Sequence, residues 1–269
     1  MVNYNSNWYR KIRFFLLLSG ISVAAFSQKV SKSKYDLIAH RGGIVNDTVA
    51  ENSREALENA IKRSYWMVEV DLRLTKDSVL ITHHDANFKK YFGLDSTVSS
   101  MTWAQIRRLK SNQGYQVMSF EDLLKRSQRK IGIMIDNKIS GNDTVLFARV
   151  IKLLKKYRLY KNSLMIGTDE STDFFTGKVK LSCTRKQLEE NKSKPGYRAS
   201  DYYLFSDKIS REDVQWAKSN NILAIGVLNA WSLDSLNIDT IAREKSKQLK
   251  ASGLTHFQID TIFEDLFQP

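Results

Sequence analysis

The sequence predicts an α/β fold, a TIM-type (β/α)8 barrel with a small insertion after the second barrel strand, on three observations. Short β-branched runs alternate with amphipathic stretches of helical length from residue 35 to the end. Eight of those runs qualify as barrel strands, and that number over about 240 residues suits a closed barrel better than an open doubly wound sheet. Polar side chains recur where the runs end, which is where barrels of this kind collect their chemistry.

The chain begins with a different kind of segment. Arg10, Lys11 and Arg13 precede FFLLLSGISVAAF, long enough for a signal-peptide core and short of the roughly 20 residues a membrane span needs. Ala25 and Ser27 are small residues suited to cleavage after Ser27. The expected organisation is a signal peptide over 1–27 and one barrel domain over 28–269, exported to a periplasmic or secreted location, with no membrane span once the leader is removed. The sole interior proline, Pro195, falls in the surface loop NKSKPG and marks no domain boundary.

The barrel strands follow in order. YDLIAH (35–40) is the first, and SREALENAIKRS is the helix after it, with Ala56, Leu57, Ala60 and Ile61 on one stripe and Ser53 as cap, Asn52 being nearly as good a candidate. WMVEVDLRL (66–74) is the second strand, and TKDS turns the chain into a short extra strand, SVLITHH. MTWAQIRRL and SFEDLLKRS read as helices, the latter capped by Ser119. KIGIMIDNK is the third barrel strand, followed by a helix over DTVLFARVIKLLKKY. SLMIGT, KVKLS, DYYLF, ILAIGVLN and HFQID complete the set, with helices in TRKQLEENK, SREDVQWAKSN and DTIAREKSKQLKAS. STDFFTG, between the fourth and fifth strands, reads equally well as a loop. Gly253 suits the stop before the last strand.

Composition narrows the partners. At 42% hydrophobic and 26% charged residues the chain is an ordinary globular protein, which excludes global disorder. The formal charge of +13 attracts anions. Yet the basic clusters KKYRLYK and KSKQLK read as solvated helix faces rather than a stacking platform, so no nucleic-acid partner is expected. Cys183 is the only cysteine, which excludes an internal disulfide and a cysteine zinc cluster and makes it a structural residue in or beside a strand.

Glu69 and Asp71 lie two apart in the second strand, so both side chains face the same way. Paired acids on an inner face repel unless a cation lies between them. Asp136 in IMIDNK offers a third carboxylate, and an all-oxygen set favours Mg²⁺ or Ca²⁺ over zinc. The alternative is structural, with the acids paired to Arg73, Lys138 or Arg41. His40 closes the first strand and His84 the extra strand. Arg41 offers a phosphate-binding fork, Gly42 and Gly43 allow close backbone approach, and Glu51-Asn52 opens the next helix. A cation, an arginine and two histidines suit phosphoryl chemistry, with one histidine as base and the other as acid. Strand alternation turns His83 away from the face His84 uses, and His256 starts its strand at the far end. Trp231, after the seventh strand, is placed near the site.

LIAHRGG with ENS, VEVDLRLTKDSVLITHHD, IDNK and the terminal GLTHFQID together resemble the glycerophosphodiester phosphodiesterase family over nearly the whole chain after the leader. The resemblance implies hydrolysis of a small-molecule glycerophosphodiester, or of a lysolipid as in lysophospholipase D-like enzymes, to glycerol 3-phosphate and an alcohol. It implies one divalent cation on Glu69, Asp71 and Asp136, His40 and His84 as acid and base, and Arg41 and Lys138 on phosphate. Glu51 would support the metal and glycerol side. Asp136 stands where the family usually has glutamate, and Ser78 where it usually turns on glycine. The short segment between Asp85 and Ser119 implies an open site. A barrel that binds without turnover is the rival of a different class.

Overall fold

A computed structural model describes residues 34–43, 49–233 and 235–268. The signal peptide expected over 1–27 lies outside the described residues. Eight parallel strands, β1 (Asp36–Ala39), β2 (Met67–Leu74), β3 (Gly132–Asn137), β4 (Ser163–Ile166), β5 (Lys180–Cys183), β6 (Tyr202–Ser206), β7 (Leu223–Leu228) and β8 (His256–Ile259), pair each with the next. The ring of eight closes where β8 pairs with β1, Ile259 beside Ala39, so each barrel strand has a barrel neighbour on both sides. The expected barrel is the one observed.

Between the strands run α1 (Arg54–Lys62), α2 (Phe120–Ser127), α3 (Thr144–Lys156), α4 (Asp169–Phe175), α5 (Arg185–Asn191), α6 (Arg211–Ser219) and α7 (Ile238–Ala251), and a 3₁₀ helix, Thr261–Phe267, follows β8. Ser53 and Ser119 cap α1 and α2 as their positions predict, accepting from the amides of Ala56 and Asp122. Ala56, Leu57 and Ala60 bury the predicted stripe. Among the described residues no helix is long and apolar enough to cross a membrane.

Two local readings differ from the structure. STDFFTG is largely helical: α4 starts one residue past Thr168, whose side chain and that of Ser171 cap each other's backbone, and Phe175 is fully buried beneath it. MTWAQIRRL shrinks to the single turn Trp103–Ile106, because the chain leaves for a tight turn in which Ser111 Oγ accepts from the amides of Gln113 and Tyr115. That turn belongs to the insertion. Leu80–Thr82 folds back antiparallel on the end of β2, a hairpin (Asn87–Phe88 with Leu94–Thr97) follows, and Met118–Ser119 returns beside Leu80–Thr82. Ile81, Phe88, Val98, Ile106 and Val117 give this excursion its own small core.

The barrel interior sets the level of everything above it. Ile38, Met67, Met134, Leu164, Tyr203 and Ile225 form a buried layer. Because side chains on one strand repeat every two residues, the next inward positions are His40, Glu69, Asp136, Ile166, Phe205 and Val227, and above them come Asp71, Lys138 and Asn229. A polar crown therefore sits on an apolar plug. His256 faces the other end, 4.8 Å from the Trp66 ring and 3.3 Å from Asp36 Oδ2.

Two expectations follow from the packing. Gly43 has φ +85°, and a Cβ there would stand 2.4 Å from Thr261 Cγ2. Gly43→Ala should cost roughly 2 kcal/mol or more through backbone strain and overpacking, read as a lower urea midpoint; an unchanged midpoint would contradict the close approach. Cys183 is buried, and burial pushes its thiol up to about 11. Iodoacetamide at pH 8 should modify it at least about fifty-fold more slowly than a free cysteine, since the thiolate carries the reaction. The sign for stability is the same: the neutral thiol's contribution is complete below its ordinary value of 9.0 and is lost as pH rises through about 11. Rapid labelling of the folded protein would sink both statements.

Candidate active site

The carboxyl ends of the barrel strands surround a cleft of about 610 Å³. Its wall includes His40, Arg41, Glu69, Asp71, His84, Asp136, Lys138 and Trp231, so the structure brings to one place all but one of the residues singled out in the sequence. The exception, Glu51, is set just behind the wall. Its two oxygens accept from Arg41 Nη1 and Lys90 Nζ, each at 3.0 Å.

The first turn after β1 is built by its unusual backbone. Arg41 has φ +54°, which directs its amide to Glu69 Oε2 at 2.8 Å. Asn52, at φ +58°, donates its amide to the Arg41 carbonyl and locks onto Asp71 at both ends of its side chain: Nδ2 donates to Asp71 Oδ2 at 2.9 Å and Oδ1 accepts from the Asp71 amide at 3.0 Å. Asparagine tolerates this left-handed conformation better than most residues. Arg41 Nε, 3.8 Å from Asp71 Oδ2, is buried without a hydrogen-bond partner.

Glu69, Asp71 and Asp136 each offer an oxygen within 4.8 Å of the others. Register explains the meeting, since β2 and β3 place Asp71 beside Asp136. Burial pushes the Glu69 carboxyl well above the ordinary carboxylate range, and the charges of Asp71 and Asp136 add to it. Asp136 is raised too, chiefly by burial, with Lys138 opposing. Lys138 Nζ donates to Asp136 Oδ2 at 2.6 Å and lies 3.6 Å from Asp71 Oδ1. Lys138, with an Arg41 that is shared with Glu51, does not fully compensate three converging carboxylates, and the donor set, all oxygen and mostly buried, fits a hard divalent cation. A second group, Glu51, His84 and Asp85, also converges. There Arg41 and Lys90 already balance Glu51.

Each cleft histidine is held by an aspartate. His40 Nδ1 donates to Asp260 Oδ1 at 2.6 Å, and Asp260 Oδ2 accepts from the Ala230 amide at 2.6 Å. His84 Nδ1 donates to Asp85 Oδ1 at 2.8 Å, and the His84 carbonyl is clamped by Arg73. An aspartate on Nδ1 fixes the tautomer and turns Nε2 of each ring to the cleft. For His40 that nitrogen is 3.9 Å from Glu69 Oε2. His83 is buried on Phe88 and donates from Nε2 to the Asn87 carbonyl, and burial lowers its pKa. It is part of the insertion's packing.

Sequence reasoning missed Asp260, Asp85, Lys90, Asn229 and Gln258. Asp260 is 220 residues from His40 and becomes its neighbour only when β8 closes on β1. Asn229 and Gln258 were readable from the two-residue period that leads up from Ile225 and His256. Lys90 reaches the site from the insertion and has no such signal.

Residues 40–166 match the model of the glycerophosphoryl diester phosphodiesterase family. A human protein named Lysophospholipase D GDPD3 is 26% identical over 179 residues, 62% of this chain and 54% of that one. A Bacillus subtilis (strain 168) protein named Glycerophosphodiester phosphodiesterase is 25% identical over 164 residues, 53% of each chain. The chain spans about half the length of these curated relatives. A solved glycerophosphoryl diester phosphodiesterase from Parabacteroides distasonis ATCC 8503 superposes with a TM-score of 0.70 over 88% of this chain and 86% of that one, at 22% identity, a likeness of fold.

Proposed function

We propose that this chain is a member of the glycerophosphoryl diester phosphodiesterase family, whose model residues 40–166 match, and that its cleft hydrolyses glycerophosphodiesters to glycerol 3-phosphate and an alcohol. The observation that carries the reading is the pair of aspartate-held histidines presenting Nε2 to a cleft that also gathers three carboxylates. Arg41 Nε, the buried donor without a partner, and Lys138 take the phosphate oxygens. Mg²⁺ or Ca²⁺, when held by Glu69, Asp71 and Asp136, supplies neutralisation of the charge that gathers on those oxygens.

One histidine Nε2 takes the proton of the glycerol hydroxyl next to the phosphate as that oxygen bonds to phosphorus. The other gives a proton to the departing alcohol oxygen as its bond to phosphorus breaks. The cyclic phosphate is then opened by water, with the proton transfers reversed: the second histidine takes water's proton, and the first returns one to the ring oxygen. Asp260 and Asp85 steady the imidazolium of each ring as it forms.

The test is release of glycerol 3-phosphate over a panel of head groups, with and without chelator. No release from any diester, or undiminished release in chelator, would refute the corresponding part of the reading. A lysolipid substrate is the second reading. Ile166, Phe205 and Val227 give the cleft an apolar side, and Trp231 stands exposed at its rim. Lysolipid turnover well above that of water-soluble diesters would select it. Export belongs to the same reading and is supported by the leader-like residues 10–27; a mature protein beginning anywhere but Gln28 would contradict the expected cleavage.

A further inference from the structure

Asn229 follows β7 and lines the cleft, only 3% exposed, and its Oδ1 is buried without a hydrogen-bond partner. A buried acceptor left open is costly, so a native site keeps one where something else completes it. The orientation of the side-chain amide is set from below. Met134 Sδ can only accept, so Gln258 turns Nε2 to it, at 3.4 Å. Gln258 Oε1 then faces Asn229 and accepts from its Nδ2 at 3.1 Å. The direction of this relay leaves Asn229 Oδ1, an acceptor, for the cleft.

The position is close to the chemistry. β7, β8 and β1 are adjacent, and the Ala230 amide holds Asp260, which holds His40. Asn229 therefore shares a wall with His40. Its complement must be a donor, and a phosphate diester has none on phosphorus. On the phosphodiesterase reading, the glycerol hydroxyl beside the phosphate gives its proton to a histidine, which leaves the terminal hydroxyl.

We propose that Asn229 Oδ1 accepts a hydrogen bond from the terminal hydroxyl of the substrate's glycerol group and so selects glycerol diesters over diesters of a diol lacking it. This rests on the phosphodiesterase reading. A site built to bond a hydroxyl discriminates against its absence because its own buried group is then left unpaired.

The experiment compares kcat/KM for glycerophosphocholine with that for the phosphocholine diester of propane-1,2-diol, which keeps the attacking hydroxyl and lacks the terminal one. The wild-type ratio should be at least about tenfold. Asn229→Leu should bring it near one, whereas Asn229→Asp, which keeps an acceptor oxygen in place, should preserve a clear preference for glycerol. A wild-type ratio near one overturns the assignment without any variant, as does an undiminished ratio in Asn229→Leu. Should Asn229→Leu fail to fold, loss of the preference in Asn229→Asp overturns it instead. Turnover of neither diester by the wild type overturns the phosphodiesterase reading and the assignment with it, whereas equal turnover of both overturns the assignment alone.

Discussion

Replacing His40 by alanine should lower kcat by about 10²- to 10⁴-fold, the range for loss of a positioned acid or base. His84→Ala should fall in the same range, and the double variant little further, because groups that act in one proton relay are not additive. Stability separates the two. His40 is largely buried and bonded to Asp260, so its removal leaves a carboxylate oxygen without its donor, at about 1–3 kcal/mol. The His84 side chain is 31% exposed and should be removable at little cost. His84→Ala is therefore the cleaner test of chemistry: a folded variant that retains more than a tenth of wild-type kcat would end the two-histidine mechanism.

Glu69→Gln should uncouple the protein from its cation. At a hundredfold excess over Kd, a bound ion stabilises by about 2.7 kcal/mol, several degrees in Tm for a chain of this length. The variant should lose most of that shift, together with activity. In chelator the order reverses, and the variant should be at least as stable as wild type, because a buried carboxylate pressed by Asp71 and Asp136 has been made neutral. The pH dependence follows from the raised Glu69 pKa. A raised carboxyl contributes stability below its ordinary value of 4.5 and loses it as pH climbs through the folded value, so metal-free wild type should weaken over that interval more than the variant. Thermal melts with Mg²⁺, Ca²⁺ and EDTA across pH decide it. A variant that is less stable in EDTA, yet still responds to the ion, would remove Glu69 from the ligand set.

Much of the barrel is written locally. β-branched runs, serine caps at Ser53 and Ser119 and the two-residue period of MVEVDL all act within a few residues, and they led to β2, α1 and α2 within a residue or two. The same period carried Glu69 and Asp71 to a common face. Where the reading faltered, the deciding contact was distant or unusual. Helix α4 is started by a threonine and serine that cap each other, a weaker signal than glutamate or glutamine, and is held by Phe175 against the core. Trp103–Ile106 stops after one turn because the insertion folds on itself. Asp260 acquires its partner only through ring closure, and no local pattern announces a contact across 220 residues.

That contact bears on when the protein becomes competent. His40 lies near one end of the barrel sequence and Asp260 near the other, directly after the last of the eight barrel strands. Synthesis from the N-terminus therefore delivers Glu69, Asp71, Asp136 and both imidazoles long before the residue that orients the first of them. A chain cut short before residue 256 has neither the seam of the barrel nor the anchor of His40, so on the proposed mechanism such truncated forms are expected to lack turnover. On that mechanism turnover should begin only once β8 has closed the ring on β1, which would make activity a direct assay of barrel closure.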